Sequence, residues 1–232
     1  MSAARVVAFV HAKGASERVP GKNLRTLGDR PLFCHAIAIA RAASRVDEVV
    51  IDSESDAILR LGAEHGAVPL RRPPELAEPA ATGDDLAVWQ AGSRPRSEIV
   101  VQVVPTAPFL APASVDRAIE LLDDPCVHSV AGVACEPLYL WRDGRPAYFD
   151  ATGRIPNGQQ LAPTTWETTG LYANRTRVVL ASRRRLDPER CRGLLLSKLE
   201  SLDVNTPDDF ALAEIVWRGL HERAAAAPRA SR

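Results

Sequence analysis

Short apolar runs rich in β-branched residues alternate along the chain with stretches whose apolar positions recur at helical spacing. Arg5-Val-Val-Ala-Phe-Val10 reads as a buried strand feeding a loop that begins at His11. Leu32, Cys34, Ile37 and Ala38 lie at helical spacing behind Pro31, which predicts a helix over 31–44. Glu48-Val-Val-Ile51 is a second buried strand, and Asp52–Ser55 offers an N-cap to a helix over 56–65 that Gly66 closes. A third strand is expected over 67–70, a Pro/Ala loop over 73–81 and a helix over 83–91. Residues 99–104 form the clearest strand pattern, stopped by Pro105-Thr-Ala-Pro108. Ser114 is the expected cap of a helix over 115–122, and 127–133 is another strand.

From Pro137 the texture changes, because Gly, Pro and Asn mark turns and hairpins over about thirty residues. Strands are expected over 170–174 and 198–204, and a closing helix over 207–223. Residues 224–232 read as a frayed, disordered tail. Strand–helix alternation with unbroken apolar strands predicts an α/β fold, a doubly wound and mostly parallel sheet covered on both faces. Residues 1–223 are expected to form one domain carrying a small β-rich insertion near 137–170.

Composition narrows the function classes. The chain has 29 Lys+Arg against 29 Asp+Glu, so its zero formal charge lacks the basic footprint of a nucleic-acid binder. No long apolar run predicts a membrane span, and the N-terminus lacks a secretory pattern, so a cytoplasmic protein is expected. Four scattered cysteines without CxxC spacing read as small buried hydrophobes rather than a disulfide frame or zinc site. Of the 29 cations only Lys13, Lys22 and Lys198 are lysines, and two of them fall in one loop.

That loop, His11-Ala-Lys-Gly-Ala-Ser-Glu-Arg-Val-Pro-Gly-Lys-Asn23, follows the first strand. In a doubly wound sheet such loops meet at the carboxyl ends of the strands, where ligands bind. Gly14 lets backbone N–H groups approach an anion, while Lys13, Arg18 and Lys22 surround it with charge. This is equipment for a triphosphate, although neither the P-loop nor the GxGxxG pattern is present.

The loop resembles the signature A-[RK]-G-G-S-x-R-[IV]-P-G-K-N of the acylneuraminate cytidylyltransferases, the CMP-sialic acid synthetases and their relatives. Arg72-Pro-Pro-Glu-Leu-Ala77, Val104-Pro-Thr-Ala-Pro108, Asn157-Gly-Gln-Gln-Leu161, Glu167-Thr-Thr-Gly-Leu-Tyr172 and Asp203-Val-Asn-Thr-Pro-Asp-Asp209 resemble further blocks, in the family's order. The resemblance implies a Rossmann-like nucleotidyltransferase that joins CTP to an acidic acceptor and releases pyrophosphate. It implies that Lys13, Ser16, Arg18, Lys22 and Asn23 hold the nucleotide phosphates, with Lys22 and Arg18 catalytic. Arg72, Thr82 and Thr106 would contact the rest of the nucleotide. Asp203 and Asn205 would hold Mg²⁺ or Mn²⁺, and Asp208 and Asp209 are expected to cap the following helix. Gln159 and Gln160 would reach the acceptor site of the neighbouring subunit in a homodimer. His11, His35 and His65 are expected to be spectators or structural.

Departures from the pattern bear on the phosphate site at position 17, on the acceptor at 104, 107 and 110, and on the metal site at 205, which should be weaker or rely more on the nucleotide phosphates. Glu17 replaces a frequent Lys, Val104 a Gln, Ala107 a Ser, Leu110 an Arg, and Asn205 the second acid of an Asp-x-Asp motif. Loss of sugar-reading polar groups at 104 and 107 predicts a small acidic acceptor, favouring a phosphonate such as phosphonoformate. A nonulosonic (sialic, legionaminic or pseudaminic type) acid is the alternative, and a CTP-binding protein without transfer activity is a second.

Overall fold

The computed structural model describes residues 5–16, 18–147, 149 and 152–226. Its elements, in chain order, are β1 (Val6–His11), β2 (Thr26–Leu27), β3 (Arg30–Pro31), α1 (Leu32–Ala42), β4 (Glu48–Ser53), α2 (Asp56–Glu64), β5 (Val68–Arg71), α3 (Gly83–Ser93), β6 (Ile99–Val103) and α4 (Pro112–Leu121). They continue with β7 (Ser129–Pro137), β8 (Leu140–Arg142), β9 (Arg145–Ala147), β10 (Pro163–Arg175), α5 (Thr176–Ser182), β11 (Cys191–Leu195) and α6 (Pro207–Ala226). Seven strands make one sheet in the order β11-β7-β10-β6-β1-β4-β5. β10 runs antiparallel to both neighbours, and every other pairing is parallel.

The central strands are apolar throughout because both faces are covered. Val6, Ala8 and Val10 of β1 pack with Phe33 and Ile37 of α1 and Val115 and Ile119 of α4 on one side. Val7 and Phe9 pack with Ala87 and Ala91 of α3 and Val179 of α5 on the other. A third cluster, built on Leu27, Leu32, Val204 and Phe210, ties the start of α6 to the β2–β3 ribbon. It brings the chain near residue 204 back beside the first loop.

Several expectations need correction. Residues 198–204 form no strand: Ser197 and Glu200 exchange hydrogen bonds in a single tight turn, the reciprocal Ser-x-x-Glu arrangement of a capping box. The strand that fills the sheet edge is β11, whose Cys-Arg-Gly-Leu-Leu sequence carries a weak strand pattern. Ser114 does not cap α4, which begins at Pro112, and its hydroxyl instead donates to Glu200. The strand expected over 170–174 is the inner half of the 13-residue β10. The outer half of β10 continues its pairing with the outer half of β7 in the same sheet, so this part of the 137–170 insertion is continuous with the core strands. α5 was not foreseen. The closing helix reaches Ala226, which places 224–226 in helix rather than in a tail, while 227–232 lie outside the described residues.

Asp209 accepts from the Thr206 amide (2.7 Å) and hydroxyl (2.8 Å) and from the Asn205 amide (3.0 Å), the capping role expected of it. No helix among the described residues is long and apolar enough to cross a membrane. All four cysteines are unpaired; Cys34 is buried, whereas Cys126 and Cys135 are exposed.

Candidate active site

A cleft of about 710 Å³ opens at the carboxyl ends of β1 and β6. The first loop forms one wall through Lys13, Ser16, Arg18, Lys22 and Asn23. Ala77, Pro79 and Leu86 form an apolar wall, and Val104 and Thr106 lie at the end of β6. Thr169, Tyr172 and Arg185 form a further wall, and Asp203 and Asn205 close the rim beside the loop.

The first loop is folded by its own turns. Lys22 N–H donates to the Val19 carbonyl (3.0 Å), and the Leu24 and Arg25 amides donate to Gly21 (2.9 Å each). Gly21 has φ +63, where glycine carries no steric penalty. Asn23 spans the mouth of the loop, donating through Nδ2 to the Lys13 carbonyl at 2.8 Å, so its amide braces the cations. Gly14 sits where a Cβ would lie 2.9 Å from Ser55 Cβ, and its amide already donates to Glu54 (2.6 Å). That N–H is therefore committed to the protein.

Three loop cations reach the rim. Lys13 Nζ donates to the Glu78 carbonyl (3.3 Å), and Arg18 Nη2 donates to Asn205 Oδ1 (2.9 Å). Lys22 Nζ donates to the Val204 carbonyl (2.9 Å) and is only 8% exposed. Burial, reinforced by the Arg18 charge, holds the Lys22 ammonium below the usual lysine range, with Asp203 and Asp209 opposing the shift. A partly desolvated cation gains most from a dianionic or trianionic ligand, because little water remains to screen it.

Asp203 Oδ2 accepts from Thr169 Oγ1 (3.0 Å) and from Asn205 Nδ2, whereas Oδ1 is buried without a partner. Among the described residues no three His, Cys, Asp or Glu side chains gather closely enough to hold a metal alone.

Other sequence-based candidates stand apart from the cleft. Arg72 is 1% exposed and lies beneath it, donating to the Asp52 carboxylate (2.9 Å) and carbonyl (2.8 Å). Its Nη1 remains buried without a partner. Thr82 caps α3: its hydroxyl and amide donate to Asp85, whose amide donates back. Gln159 and Gln160 are exposed on a short 3-10 helix, outside the cleft of their own chain. Gln160 Oε1 accepts from the Asn157 amide (2.9 Å).

Two of the departures lose their bearing on the acceptor. Ala107 is 1% exposed and packs against Gly170, where an added Cβ would lie 2.6 Å from Ala107 Cβ. Leu110 belongs to the main core. Of the three positions, only Val104 lines the cleft.

Residues missed at the sequence level complete the site. Thr169 has φ +59 at the irregularity between Glu167 and Tyr172, where β10 changes register on β7. Such a bulge re-aims side chains, and here Thr169 and Tyr172 both reach the cleft. Tyr172 was visible only as part of a motif, and Arg185 only as part of an Arg-Arg-Arg run that reads as a solvated surface. His11 also lines the cleft. Burial, then Arg72, Arg185 and Lys13, lower its pKa to about 3, so the imidazole is neutral as expected. His35 is structural, its Nε2 paired with the Leu27 carbonyl at 2.8 Å.

Comparison with known proteins agrees with this geometry. The cytidylyltransferase family profile matches residues 7–134. A CMP-N,N'-diacetyllegionaminic acid synthase of Legionella pneumophila is 27% identical over 235 residues, spanning 90% of this chain and 95% of its own. A 3-deoxy-manno-octulosonate cytidylyltransferase of Pelobacter propionicus is 26% identical over 261 residues, spanning 94% of this chain and 99% of its own. Among solved structures, a CMP:2-keto-3-deoxy-manno-octonic acid synthetase complexed with CTP shares the fold with a TM-score of 0.69 at 17% identity. That match covers 94% of this chain and 99% of the other. Since the profile spans more than half of the chain, including the loop that carries Lys13, Arg18 and Lys22 into the cleft, the chain belongs to the cytidylyltransferase family.

Proposed function

We propose that this nucleotidyltransferase moves the cytidylyl group of CTP onto an oxygen of a nonulosonic- or ulosonic-type sugar acid. A bond forms between that oxygen and the α-phosphorus, the α–β phosphoanhydride bond breaks, pyrophosphate leaves, and the acceptor proton passes to solvent or a base. The observation that carries this reading is the convergence of Lys13, Arg18 and Lys22 on one cleft that also holds Asp203. Phosphoryl transfer asks the protein chiefly to position groups and to stabilise charge, and these side chains are suited to both. Lys22, the most buried of the three, is placed in the role of stabilising the α-phosphoryl, with Arg18 beside it. Lys13 and Ser16 face the phosphates, Asn23 holds the loop in shape, and Thr106 borders the nucleotide. The buried, unpartnered Nη1 of Arg72 leaves a donor available to a ligand.

The phosphonate preference is not carried forward. Of the two positions behind it, 104 and 107, Ala107 is buried away from the cleft, and the relatives named above are a CMP-legionaminic acid synthase and a 3-deoxy-manno-octulosonate cytidylyltransferase.

The donor set fits one divalent cation, Mg²⁺ or Mn²⁺, held mainly by substrate. Asp203 supplies a free buried oxygen, whereas the Asn205 carbonyl oxygen is engaged by Arg18 and its amide by Asp203. The cation would neutralise phosphate charge as it develops. The Asn205 carboxamide keeps Arg18 and Asp203 aligned across the rim.

A homodimer belongs to the same reading. Gln159 and Gln160, remote from their own cleft, would serve a partner's acceptor site, and the exposed Trp141, Ile155 and Trp166 supply apolar surface on the same stretch of chain.

Pyrophosphate release from CTP and Mg²⁺ tests the reading. The panel comprises N-acetylneuraminate, legionaminic acid, 3-deoxy-manno-octulosonate and phosphonoformate, with ATP, GTP and UTP as nucleotide controls. Release with CTP and one sugar acid is the expected result. Release with phosphonoformate alone would overturn the acceptor, and tight CTP binding without release under any condition would indicate a binding protein.

A further inference from the structure

Among the described residues four cations line the cleft, and three of them, Lys13, Arg18 and Lys22, already donate to protein oxygens. The fourth, Arg185, is different. It follows α5 and is fixed in place by two separate elements, α3 and β10. Its amide donates to Asp84 at the start of α3 (2.8 Å). Its guanidinium passes Gly83, where an added Cβ would lie 2.6 Å from Nη1, and its Cζ sits over the Tyr172 ring, 3.7 Å from the centroid. Nη2 is 3.7 Å from Glu167 Oε1, an ion pair beyond hydrogen-bond reach, and Glu167 is itself held by the Tyr172 hydroxyl. Nε is buried without a partner. Among the described residues, no side-chain N–H of Arg185 makes a hydrogen bond.

A guanidinium held through its face keeps its fork of edge donors available, and that fork matches two anionic oxygens at once. Its side chain is 23% exposed, so the group is accessible yet partly desolvated. Tyr172 belongs to β10, two strands from β1 in the sheet, which is roughly 10 Å at ordinary strand spacing. Arg185 therefore enters the cleft from a different wall than the first-loop cations, and the CTP affinity measured below separates an anion on it from the nucleotide phosphates. Val104 and Thr169 line the cleft with it.

We propose that Arg185, stacked on Tyr172, binds the carboxylate of the acceptor through its edge donors and so selects acceptors that carry a carboxylate besides the attacking oxygen. This assignment rests on the cytidylyl-transfer reading above. Tyr172 supplies the platform, and Glu167 orients the guanidinium from the side.

Two variants separate the fork from the charge. Arg185→Met keeps an apolar stem over Tyr172, and Arg185→Lys keeps the charge without the fork. Pyrophosphate release is followed with N-acetylneuraminate, its methyl ester, 3-deoxy-manno-octulosonate and phosphonoformate, and CTP affinity is measured by calorimetry. R185M is expected to raise the acceptor KM about 10- to 100-fold while CTP affinity changes less than about twofold, with R185K intermediate. The wild-type preference for the free acid over its methyl ester should disappear in R185M. An R185M effect confined to phosphonoformate would overturn the carboxylate assignment. Unchanged acceptor KM, or a loss of CTP affinity equal to the acceptor effect, would overturn the assignment.

Calorimetric titration of the same acids into protein loaded with α,β-methylene-CTP reads anion binding without turnover. Binding that R185M abolishes upholds Arg185 even where no pyrophosphate appears, in which case only the transfer reading fails. No binding by any of these acids to the wild type would overturn the assignment itself.

Discussion

Replacing Arg72 by Met should cost far more stability than the loss of an ordinary side chain, because it strands a buried carboxylate. Asp52 is fully buried; one of its oxygens accepts from Arg72 Nε (2.9 Å) and the other from Gln90 Nε2 (2.9 Å). Gln90 Oε1 in turn accepts from Gln102 Nε2 (2.7 Å), so the pair anchors a polar chain reaching across β4, α3 and β6. Removing one partner of such a buried ion pair costs about 3–5 kcal/mol, a large share of the roughly 5–15 kcal/mol that holds a domain together. Adding Asp52→Asn removes the stranded charge and should restore about 1–3 kcal/mol, leaving an amide that Gln90 can still pair. Urea unfolding of the wild type, R72M, D52N and the double variant closes the cycle. An R72M cost below about 1 kcal/mol, or no rescue by D52N, would refute the argument and leave Arg72 with a purely ligand-binding role.

Three further outcomes are expected. The folded-state pKa of His11 is lowered to about 3 from an ordinary 6.5, so the unfolded chain takes up a proton between those values that the folded chain refuses. Stability should fall as pH drops through that window, by about 2 kcal/mol between pH 6.5 and 4.5, and His11→Gln should remove this component from denaturation curves. An imidazole that NMR finds titrating near pH 6 would contradict it. Lys22→Ala should lower kcat about 100- to 1000-fold in pyrophosphate-release assays, with folding checked by circular dichroism; a loss below tenfold would remove Lys22 from the transition state. Thr82→Ala should cost about 1 kcal/mol in thermal or urea unfolding and leave CTP affinity unchanged, since its hydroxyl is committed to capping α3. A large loss of CTP affinity would return Thr82 to the nucleotide site.

The parts of the fold legible from the chain are those whose determinants are local. β1, β4 and β6 are apolar over their whole length, α1 and α2 show helical spacing, and Asp209 announces its cap three residues after Thr206. The first loop was legible for the same reason: its cations and turn residues are contiguous, and the loop alone brings them together. Arg185, Thr169 and Tyr172 were not legible as site residues. Arg185 sits in a run of arginines, and only stacking on a side chain from β10 lifts it from solvent into the cleft. Ala107 and Leu110 misled because a motif position says nothing about which way a side chain faces.

What the sequence by itself determined is the doubly wound α/β pattern, the cation-bearing first loop and the family resemblance, all carried by short-range periodicity and contiguous residues. The tertiary structure alone decided that β11 rather than 198–204 completes the sheet, that the bulge in β10 turns Thr169 and Tyr172 toward the cleft, and that Arg72 lies beneath it paired with Asp52. These outcomes depend on pairings between residues 20 to nearly 200 positions apart, such as Arg72 with Asp52 or Arg18 with Asn205. Burial and hydrogen-bond satisfaction across such distances exist only once the chain is packed.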